Sequence, residues 1–317
     1  MTVGIIGSGF GLYAYFPAIA IGCRQQILLP QRYRERLRSR ADVGDLADLV
    51  EWVASDDAVL DGADTIVISQ RPADQVDRVH DCLQRNNIAA LMLEKPLAPN
   101  PEKASLLLAT LEHSGKRFCI GYVFRYTEWG RVLLALAQNL KDPIHIDWYF
   151  RAHHYAVGAE NWKRRVSTGG GALRFYGIHL IALLAEAGYD QVVSSYVGTQ
   201  APDEAESWHA VIAGTDLPDC HISVDTNHDA KSFRISAGQT PDGEKLSFTQ
   251  SDPFNAAGVS GKFDDRVTLL TEYCRDFFQH RLMLGNSYER AIKLWDKIEA
   301  KTRVEPSLAS LGERISI

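Results

Sequence analysis

The sequence predicts an α/β domain built on a parallel sheet, followed by an α+β domain with a large, mostly antiparallel, open-faced sheet. Short apolar runs alternate with helical patterns through the first part of the chain, which is typical of parallel α/β sheets. Later segments place apolar residues at every second position, as half-buried antiparallel strands do. The length of 317 residues also favours two domains, which we place at residues 1–122 and 123–317.

The composition excludes several classes of partner. The formal net charge is −6, so we expect neither nucleic acid nor a membrane surface as a partner. The five cysteines are scattered without a Cys-x-x-Cys pair, which favours reduced thiols in a cytoplasmic protein. His153 and His154 are adjacent at a predicted strand end and lack a carboxylate at ligand spacing, so we predict no metal site.

A strand, a glycine turn and a helix are predicted close to Met1. Residues 3–6 form a short apolar run, Gly7-Ser8-Gly9 follows at once, and residues 11–22 have a helical pattern. Such a turn holds a dinucleotide pyrophosphate between its backbone N–H groups and the helix N-terminus. The third glycine of the usual motif should stand at Leu12, so glycines kept for turn geometry alone are the alternative. The candidate cofactor contacts are Gly7, Ser8, Gly9, Phe10, Gly11 and Leu12.

The end of the second predicted strand, residues 23–29, indicates which dinucleotide binds. A Rossmann domain that binds NAD carries an acidic residue there for the ribose hydroxyls. This chain has Pro30-Gln31-Arg32 instead, and its next acidic residue is Glu35. Arg32 stands where a 2′-phosphate would lie, so the sequence predicts NADP, with NAD as the alternative cofactor. The later arginines of this segment fit a solvent-exposed helix face equally well.

The next parallel strands each end in a polar loop. Residues 65–69, 88–93 and 116–121 predict buried strands, and a helix between the first two is indicated by apolar residues at three- and four-residue spacing. Because open α/β sheets bind ligands at the carboxyl ends of their strands, these loops supply further candidates. The additional candidate cofactor contacts are Ser69, Gln70, Arg71, Glu94 and Lys95.

Lys95 is also a catalytic candidate. It follows a buried strand and precedes Pro96, which stiffens the turn. A lysine ammonium there can hydrogen-bond a reacting oxygen or relay its proton. A surface lysine paired with Glu94 is the alternative.

The second half of the chain predicts an antiparallel sheet and four helices. Residues 144–151 alternate between apolar and polar side chains, and four later segments repeat that pattern, at 207–213, 219–226, 231–237 and 244–248. Helices are predicted at 131–140, from the glycines at 169–171 through Leu183, at 264–284 and at 288–302. One face of such a sheet packs helices, which leaves the other for a subunit or substrate, so we expect a homodimer or homotetramer.

Four stretches resemble the Gfo/Idh/MocA family of NAD(P)-dependent oxidoreductases. They are GIIGSGFG at 4–11, EKP at 94–96, GYVFRY at 121–126 and GGGALRFYGIH at 169–179. The resemblance implies that Lys95 touches both the nicotinamide end of the cofactor and the substrate. It also implies a homo-oligomer.

The last stretch departs from the family at one catalytic position. The family usually has D-x-G-x-H there, with the Asp and His on one helix face, pointing at the substrate hydroxyl or ketone. His179 matches the histidine, whereas Phe175 stands at the aspartate position, so the family mechanism does not carry over unchanged. His179 remains the acid/base candidate, and a satisfied core histidine is the alternative.

Several residues around this stretch are candidate substrate contacts. Trp162 suits stacking on a sugar face and Lys163 suits an anionic group, although an ordinary exposed loop would look the same. Tyr176 is a third catalytic candidate, through its phenol, unless it only packs. The candidate substrate contacts are Lys95, Tyr126, Trp162, Lys163, Phe175 and His179.

These observations predict an NADP-dependent oxidoreductase that acts on a secondary alcohol or ketone of a sugar or sugar-like acid. Two alternatives stay open. The first is an NADP-binding sensor or regulator whose catalysis Phe175 has impaired. The second is a reductase of a non-sugar ketone or imine.

Overall fold

The computed structural model describes residues 1–140, 142–239, 245–254, 262–282 and 286–306. The chain divides into two compact units. Unit 1 comprises Met1–Ala98, Leu106–Tyr126 and Ala256–Leu284, and unit 2 comprises Pro99–Ser105, Thr127–Asn255 and Gly285–Ile317. The division of the chain after residue 122 stays a prediction.

Unit 1 contains a parallel sheet of six strands in the described residues. The strands are β1 (Thr2–Ile6), β2 (Gln26–Pro30), β3 (Val50–Val53), β4 (Thr65–Ile68), β5 (Ala90–Leu93) and β6 (Arg117–Ile120). Their order is β3-β2-β1-β4-β5-β6, and each pair is parallel. The order reverses between β1 and β4, which is where a doubly wound sheet opens a crevice for a dinucleotide. The predicted Rossmann topology is confirmed.

The helices predicted between β4 and β5 and in the second half of the chain are present with shifted ends, and the structure contains further α-helices that were not predicted. In the described residues they are α1 (Arg34–Arg38), α2 (Asp56–Gly62), α3 (Pro72–Leu83), α4 (Pro101–His113), α5 (Glu128–Leu136), α6 (His153–Ala156), α7 (Ile178–Ala187), α8 (Arg266–Phe278) and α9 (Ser287–Lys301). The helix predicted at 131–140 begins earlier, because the Thr127 side chain accepts a hydrogen bond from the Gly130 N–H and caps it. His153 and His154 lie in a short helix rather than at a strand end. Residues 244 and 283–284 of the predicted elements lie outside the described residues.

The predicted helix at 11–22 is present as two π-helical segments instead of one α-helix. They cover Gly11–Tyr15 and Ala18–Gly22, with Pro17 at the start of the second. Proline lacks the N–H that a continuous helix would need at this point, which accounts for the interruption. A third π-helical segment, Ala172–Gly177, leads into α7.

Unit 2 contains a mixed sheet of seven strands in the described residues. They are β7 (Ile144–Arg151), β8 (Gln191–Thr199), β9 (Ser207–Ala213), β10 (Cys220–Asp225), β11 (Asn227–Gln239), β12 (Lys245–Gln250) and β13 (Thr302–Pro306). The order is β12-β11-β7-β10-β9-β8-β13, with β7–β10 and β8–β13 parallel and the other four pairs antiparallel. The predicted mostly antiparallel sheet is confirmed.

The two faces of this sheet differ in polarity. The Ile144, Ile146 and Trp148 side chains of β7 are buried, and α9 packs against both α7 and β8. The alternate side chains form a polar face, where the rings of His145 and His221 stack at 4.7 Å between centroids. The open face is therefore polar and histidine-rich rather than apolar.

Candidate functional site

The glycine turn after β1 has the shape of a phosphate cradle. Gly7 has φ +135°, and a Cβ there would lie 2.0 Å from the Ser69 carbonyl oxygen, so only glycine fits. A Cβ on Gly9 would meet nothing within 4 Å, which leaves open space where phosphates would approach. Gly11 lies tightly against Ile5, where a Cβ would be 3.1 Å from Cγ2, whereas Leu12 is fully buried. Gly11 thus supplies the close packing expected of the third glycine, and these residues fit a pyrophosphate.

Phe10 has an aromatic and cationic environment in unit 1. Its ring packs edge to face against Tyr15, with centroids 5.6 Å apart. The Arg266 guanidinium of α8 lies 4.5 Å from the ring centroid of Phe10. Residues from late in the chain thus pack against the turn, which short-range sequence patterns do not indicate.

A second group of side chains borders the cradle at the end of β2. The Gly7 N–H donates to the Tyr33 hydroxyl at 3.1 Å, and Arg32 Nη2 donates to the same oxygen at 2.9 Å. Arg36 Nη1 donates to Ser8 Oγ at 3.3 Å. Arg32 also forms a two-pronged ion pair with Asp56, the first residue of α2. Tyr33, Arg36 and Asp56 were not among the predicted cofactor residues.

The turn that carries Lys95 is held by a buried glutamine. Gln75 of α3 is fully buried, and its Nε2 donates to the carbonyl oxygens of Glu94 at 2.7 Å, Leu97 at 3.1 Å and Pro96 at 3.3 Å. Its Oε1 accepts from the Glu94 N–H at 3.0 Å. One side chain therefore fixes the backbone on both sides of Lys95, whose peptide bond to Pro96 is cis.

The Glu94 side chain bonds to the π-helical segment Gly11–Tyr15. The Tyr15 hydroxyl donates to Glu94 Oε1 at 2.9 Å. Burial raises the pKa of the Glu94 carboxyl, and the neighbouring Lys95 opposes that shift. Ser69 donates its N–H to the Ile6 carbonyl at 2.8 Å, and Gln70 and Arg71 follow it into α3. The structure therefore brings the predicted cofactor residues of the β1, β4 and β5 ends together at one edge of the sheet.

Tyr126 is anchored within unit 1. Its hydroxyl donates to Asp276 Oδ2 at 3.0 Å, and its ring packs edge to face against Tyr273, with centroids 6.0 Å apart. Burial and the Asp276 carboxylate raise the pKa of the Tyr126 phenol strongly. Its predicted role as a substrate contact stays a prediction.

In unit 2 an aromatic cluster surrounds Phe175. Phe175 packs edge to face against Trp162 at 5.2 Å and Tyr176 at 4.8 Å between ring centroids, and Lys163 Nζ lies 5.3 Å from the Phe175 centroid. Tyr176 also packs against Phe150 at 5.0 Å. All five side chains are half-buried, so the cluster keeps a partly open aromatic surface with one cation beside it.

His179 and His154 lie deeper in the same unit. His179 on α7 is 4% exposed and packs edge to face against Phe254 at 5.5 Å. His154 is equally buried and stacks near Tyr176, with centroids 6.4 Å apart. Burial, reinforced by Lys163 and Arg164, lowers the pKa of His154 to about 4, so its ring is neutral at neutral pH. His154 was not among the predicted site residues.

Arg174 fixes the segment that carries Phe175 and Tyr176. Its Nε and Nη2 donate to the two carboxylate oxygens of Glu299 on α9 at 2.7 and 2.6 Å, and its Nη1 donates to the Val166 carbonyl at 2.7 Å. Gly177 lies against Trp208, where a Cβ would be 2.6 Å from the indole. The glycine of the G-x-H motif is thus required for close packing between helix and sheet.

Within the ranges that the structure describes, no group of three or more His, Cys, Asp or Glu side chains is placed to hold a metal ion. None of the helices in those ranges has the length and apolarity that a bilayer crossing requires.

Comparison with known families agrees with the cradle and the Rossmann topology. Residues 1–122 match the family model GFO_IDH_MocA, the oxidoreductase family with an NAD-binding Rossmann fold. The resemblance stated from the sequence is therefore confirmed for these residues. Comparison with curated proteins gives no match.

Solved structures share the fold along nearly the whole chain. The WlbA dehydrogenase from Bordetella pertussis, in complex with NADH and UDP-GlcNAcA, has a TM-score of 0.72 at 14% identity, over 94% of each chain. KijD10, a 3-ketoreductase from Actinomadura kijaniata in complex with NADP and TDP-benzene, has a TM-score of 0.67 at 13% identity, over 97% of this chain and 99% of that one. The super-repressor mutant of Gal80p from Saccharomyces cerevisiae has a TM-score of 0.68 at 14% identity, over 95% of this chain and 94% of that one. At these identities the likeness is one of fold.

Proposed function

We propose that the protein is an NADP-dependent oxidoreductase that interconverts a secondary alcohol and a ketone of a sugar or sugar-like acid. The observation that carries the proposal is the Lys95 turn, held rigidly by Gln75 at the same sheet edge as the glycine cradle. A bound nicotinamide would supply the hydride chemistry, and the protein would supply positioning and proton transfer. The solved relatives in complex with NADP or NADH support this assignment.

Three side chains have proposed roles at the reacting group. Lys95 donates a hydrogen bond to the reacting oxygen and stabilises the negative charge that develops on it. His179 exchanges the proton of that oxygen through its imidazole ring. Tyr176, half-buried beside the neutral His154, is the second proton donor we propose.

The aromatic cluster of unit 2 supports a substrate with a flat face and an anionic group. Trp162 and Phe175 offer half-exposed rings that can pack on the apolar face of a sugar. Lys163 lies beside them and can pair with a carboxylate or phosphate.

The test of the proposed activity is a screen for NADPH oxidation across keto sugars, uronates, small ketones and imines. We expect turnover of at least one sugar ketone. Turnover of apolar ketones or imines alone would favour the reductase with an apolar pocket, an alternative that Phe175 supports by replacing a carboxylate.

Phe175 also favours the second candidate, an NADP-binding sensor without catalysis. The fold shared with the Gal80p super-repressor mutant is consistent with that class. Tight NADPH binding with no oxidation by any compound of the screen would support the sensor and overturn the enzyme.

The proposed cofactor preference depends on Arg32. We expect NADPH to bind at least tenfold tighter than NADH, because the Arg32 guanidinium, supported by Arg36, can bind a 2′-phosphate. Arg32→Ala should remove most of that preference, which calorimetric dissociation constants for both nucleotides would measure. Equal constants for the unmodified protein would contradict the proposal.

We also propose that the open face of the unit 2 sheet mediates a homodimer or homotetramer. That face carries stacked rings, such as Tyr196 on His209 at 4.8 Å, and the Arg234–Asp147 ion pair, groups that pair readily across a polar interface. Light scattering at micromolar concentration should give a mass of two or four chains, and a monomer mass would overturn the proposal.

A cytoplasmic location is part of the same proposal. All five cysteines are free thiols, and four of them are buried. Such thiols are typical of a reducing compartment.

A further inference from the structure

The carboxyl ends of β2 and β3 bring two opposite charges together beside the cradle. Pro30 of β2 pairs in register with Val53 of β3. Arg32 lies two residues beyond the first strand end, and Asp56 lies three residues beyond the second. Because neighbouring parallel strands end at the same sheet edge, the two side chains meet although they are distant in sequence.

The Arg32–Asp56 pair has the geometry of a fork on a carboxylate. Arg32 Nε lies 3.1 Å from Asp56 Oδ1, and Nη2 lies 2.5 Å from both Oδ1 and Oδ2. Asp56 is the more buried partner, with 19% of its side chain exposed against 54% for Arg32. Arg78 of α3 approaches the same carboxylate, with Nη2 3.6 Å from Oδ2. Asp56 therefore faces two guanidinium groups.

This pair is connected to the glycine turn. The Arg32 guanidinium lies 4.5 Å from the Tyr33 ring centroid and donates to the Tyr33 hydroxyl, which accepts from the Gly7 N–H. The Nε and Nη2 donors of Arg32 are thus already engaged by Asp56 and Tyr33. A dianionic group that enters here must displace the carboxylate or lie beside it.

We propose that Asp56 limits the preference for NADP(H), by engaging the guanidinium that a 2′-phosphate needs. A ribose with free hydroxyls leaves the ion pair intact and can donate a hydrogen bond to Asp56. This role is the one that an acidic residue at the end of β2 fills in NAD-binding domains, taken over here from the neighbouring strand. The inference rests on the proposed function, since it requires that a nicotinamide dinucleotide binds at this cradle.

A purely structural role for Asp56 makes a different prediction. Asp56 lies in the first turn of α2, where a carboxylate favours the helix on its own, and an exposed ion pair contributes little to stability. Such a role would change the affinity for both nucleotides equally. Asp57 is the matched control, because it lies in the same helical turn and pairs with Arg85 at 2.9 Å, not with Arg32.

The experiment measures dissociation constants of NADPH and NADH by calorimetry for the unmodified protein, Asp56→Asn and Asp57→Asn. We expect Asp56→Asn to raise the ratio Kd(NADH)/Kd(NADPH) about tenfold. The substitution frees Arg32 to bind the 2′-phosphate and removes a negative charge that would repel it. Asp57→Asn should leave that ratio within about twofold. In an Arg32→Ala background, Asp56→Asn should no longer change the ratio.

Each other outcome overturns the inference in a distinguishable way. If both nucleotides bind and Asp56→Asn leaves the ratio unchanged, or Asp57→Asn changes it equally, only this inference fails. If neither nucleotide binds the unmodified protein, the proposed function fails with it. Should Asp56→Asn lose its cooperative melting transition, Asp56→Ser serves as the neutral variant, and Asp56→Glu, which keeps the charge, should retain the original ratio.

Discussion

Replacing Lys95 by alanine is expected to lower kcat by about 10²-fold or more on the true substrate. The ammonium forms a charge-assisted hydrogen bond that strengthens as negative charge develops on the reacting oxygen, so its loss acts on the transition state more than on binding. We therefore expect kcat to fall much more than KM changes. Steady-state kinetics of the purified variant measure both.

Lys103→Ala is the control for this variant. Lys103 lies on α4, is exposed, and also loses one positive charge on substitution. It should keep the original kcat within about twofold. A Lys95→Ala protein with kcat close to that of the Lys103→Ala control would exclude Lys95 from the chemistry.

Gln75→Leu is expected to destabilise unit 1 and to slow turnover. Leucine has a similar volume but leaves the carbonyl oxygens of Glu94, Pro96 and Leu97 without the donor that now serves all three. Unsatisfied buried groups of this kind cost about 1–3 kcal/mol each, and we expect a total loss of about 3 kcal/mol. For a domain of this size that lowers the melting temperature by roughly 6–12 °C.

Gln84→Leu is the matched control on the same helix. Gln84 is exposed at the end of α3, so its substitution should leave the melting temperature almost unchanged. Gln75 positions Lys95 through the backbone, so we expect kcat of Gln75→Leu to fall while the dissociation constant of NADPH changes little. An unchanged melting temperature for Gln75→Leu would contradict the bonding described here.

The sequence predicted the elements whose pattern is local. The bounds of β7 and β9 were predicted to the residue, because one face of each is buried and the other is not, which gives a clear alternation. The Rossmann topology followed from strands that are buried on both faces and separated by helical patterns. The role of Gly11 needed the structure, because its close neighbours Ile5 and Ser69 lie on two other segments.

Three strands and several site residues were not predicted, for physical reasons. β3 is four residues long and partly exposed, β8 exposes four of its nine residues, and β13 lies at a sheet edge, so none has a regular apolar period. Because β3 was not predicted, Asp56, which follows it, was not recognised as a neighbour of Arg32, which is distant in sequence. The role of Gln75 was not predicted because the sequence does not show which backbone groups a buried polar side chain on a helix will bond.

The proposed activity requires direct hydride transfer between a nicotinamide and the carbonyl carbon of a substrate. Its most direct test uses NADPH deuterated at the transferable position of the nicotinamide, with the substrate that the screen identifies. We expect each product molecule to gain one deuterium on its carbinol carbon, detected by mass spectrometry and located by NMR. A product without deuterium at that carbon would contradict direct hydride transfer.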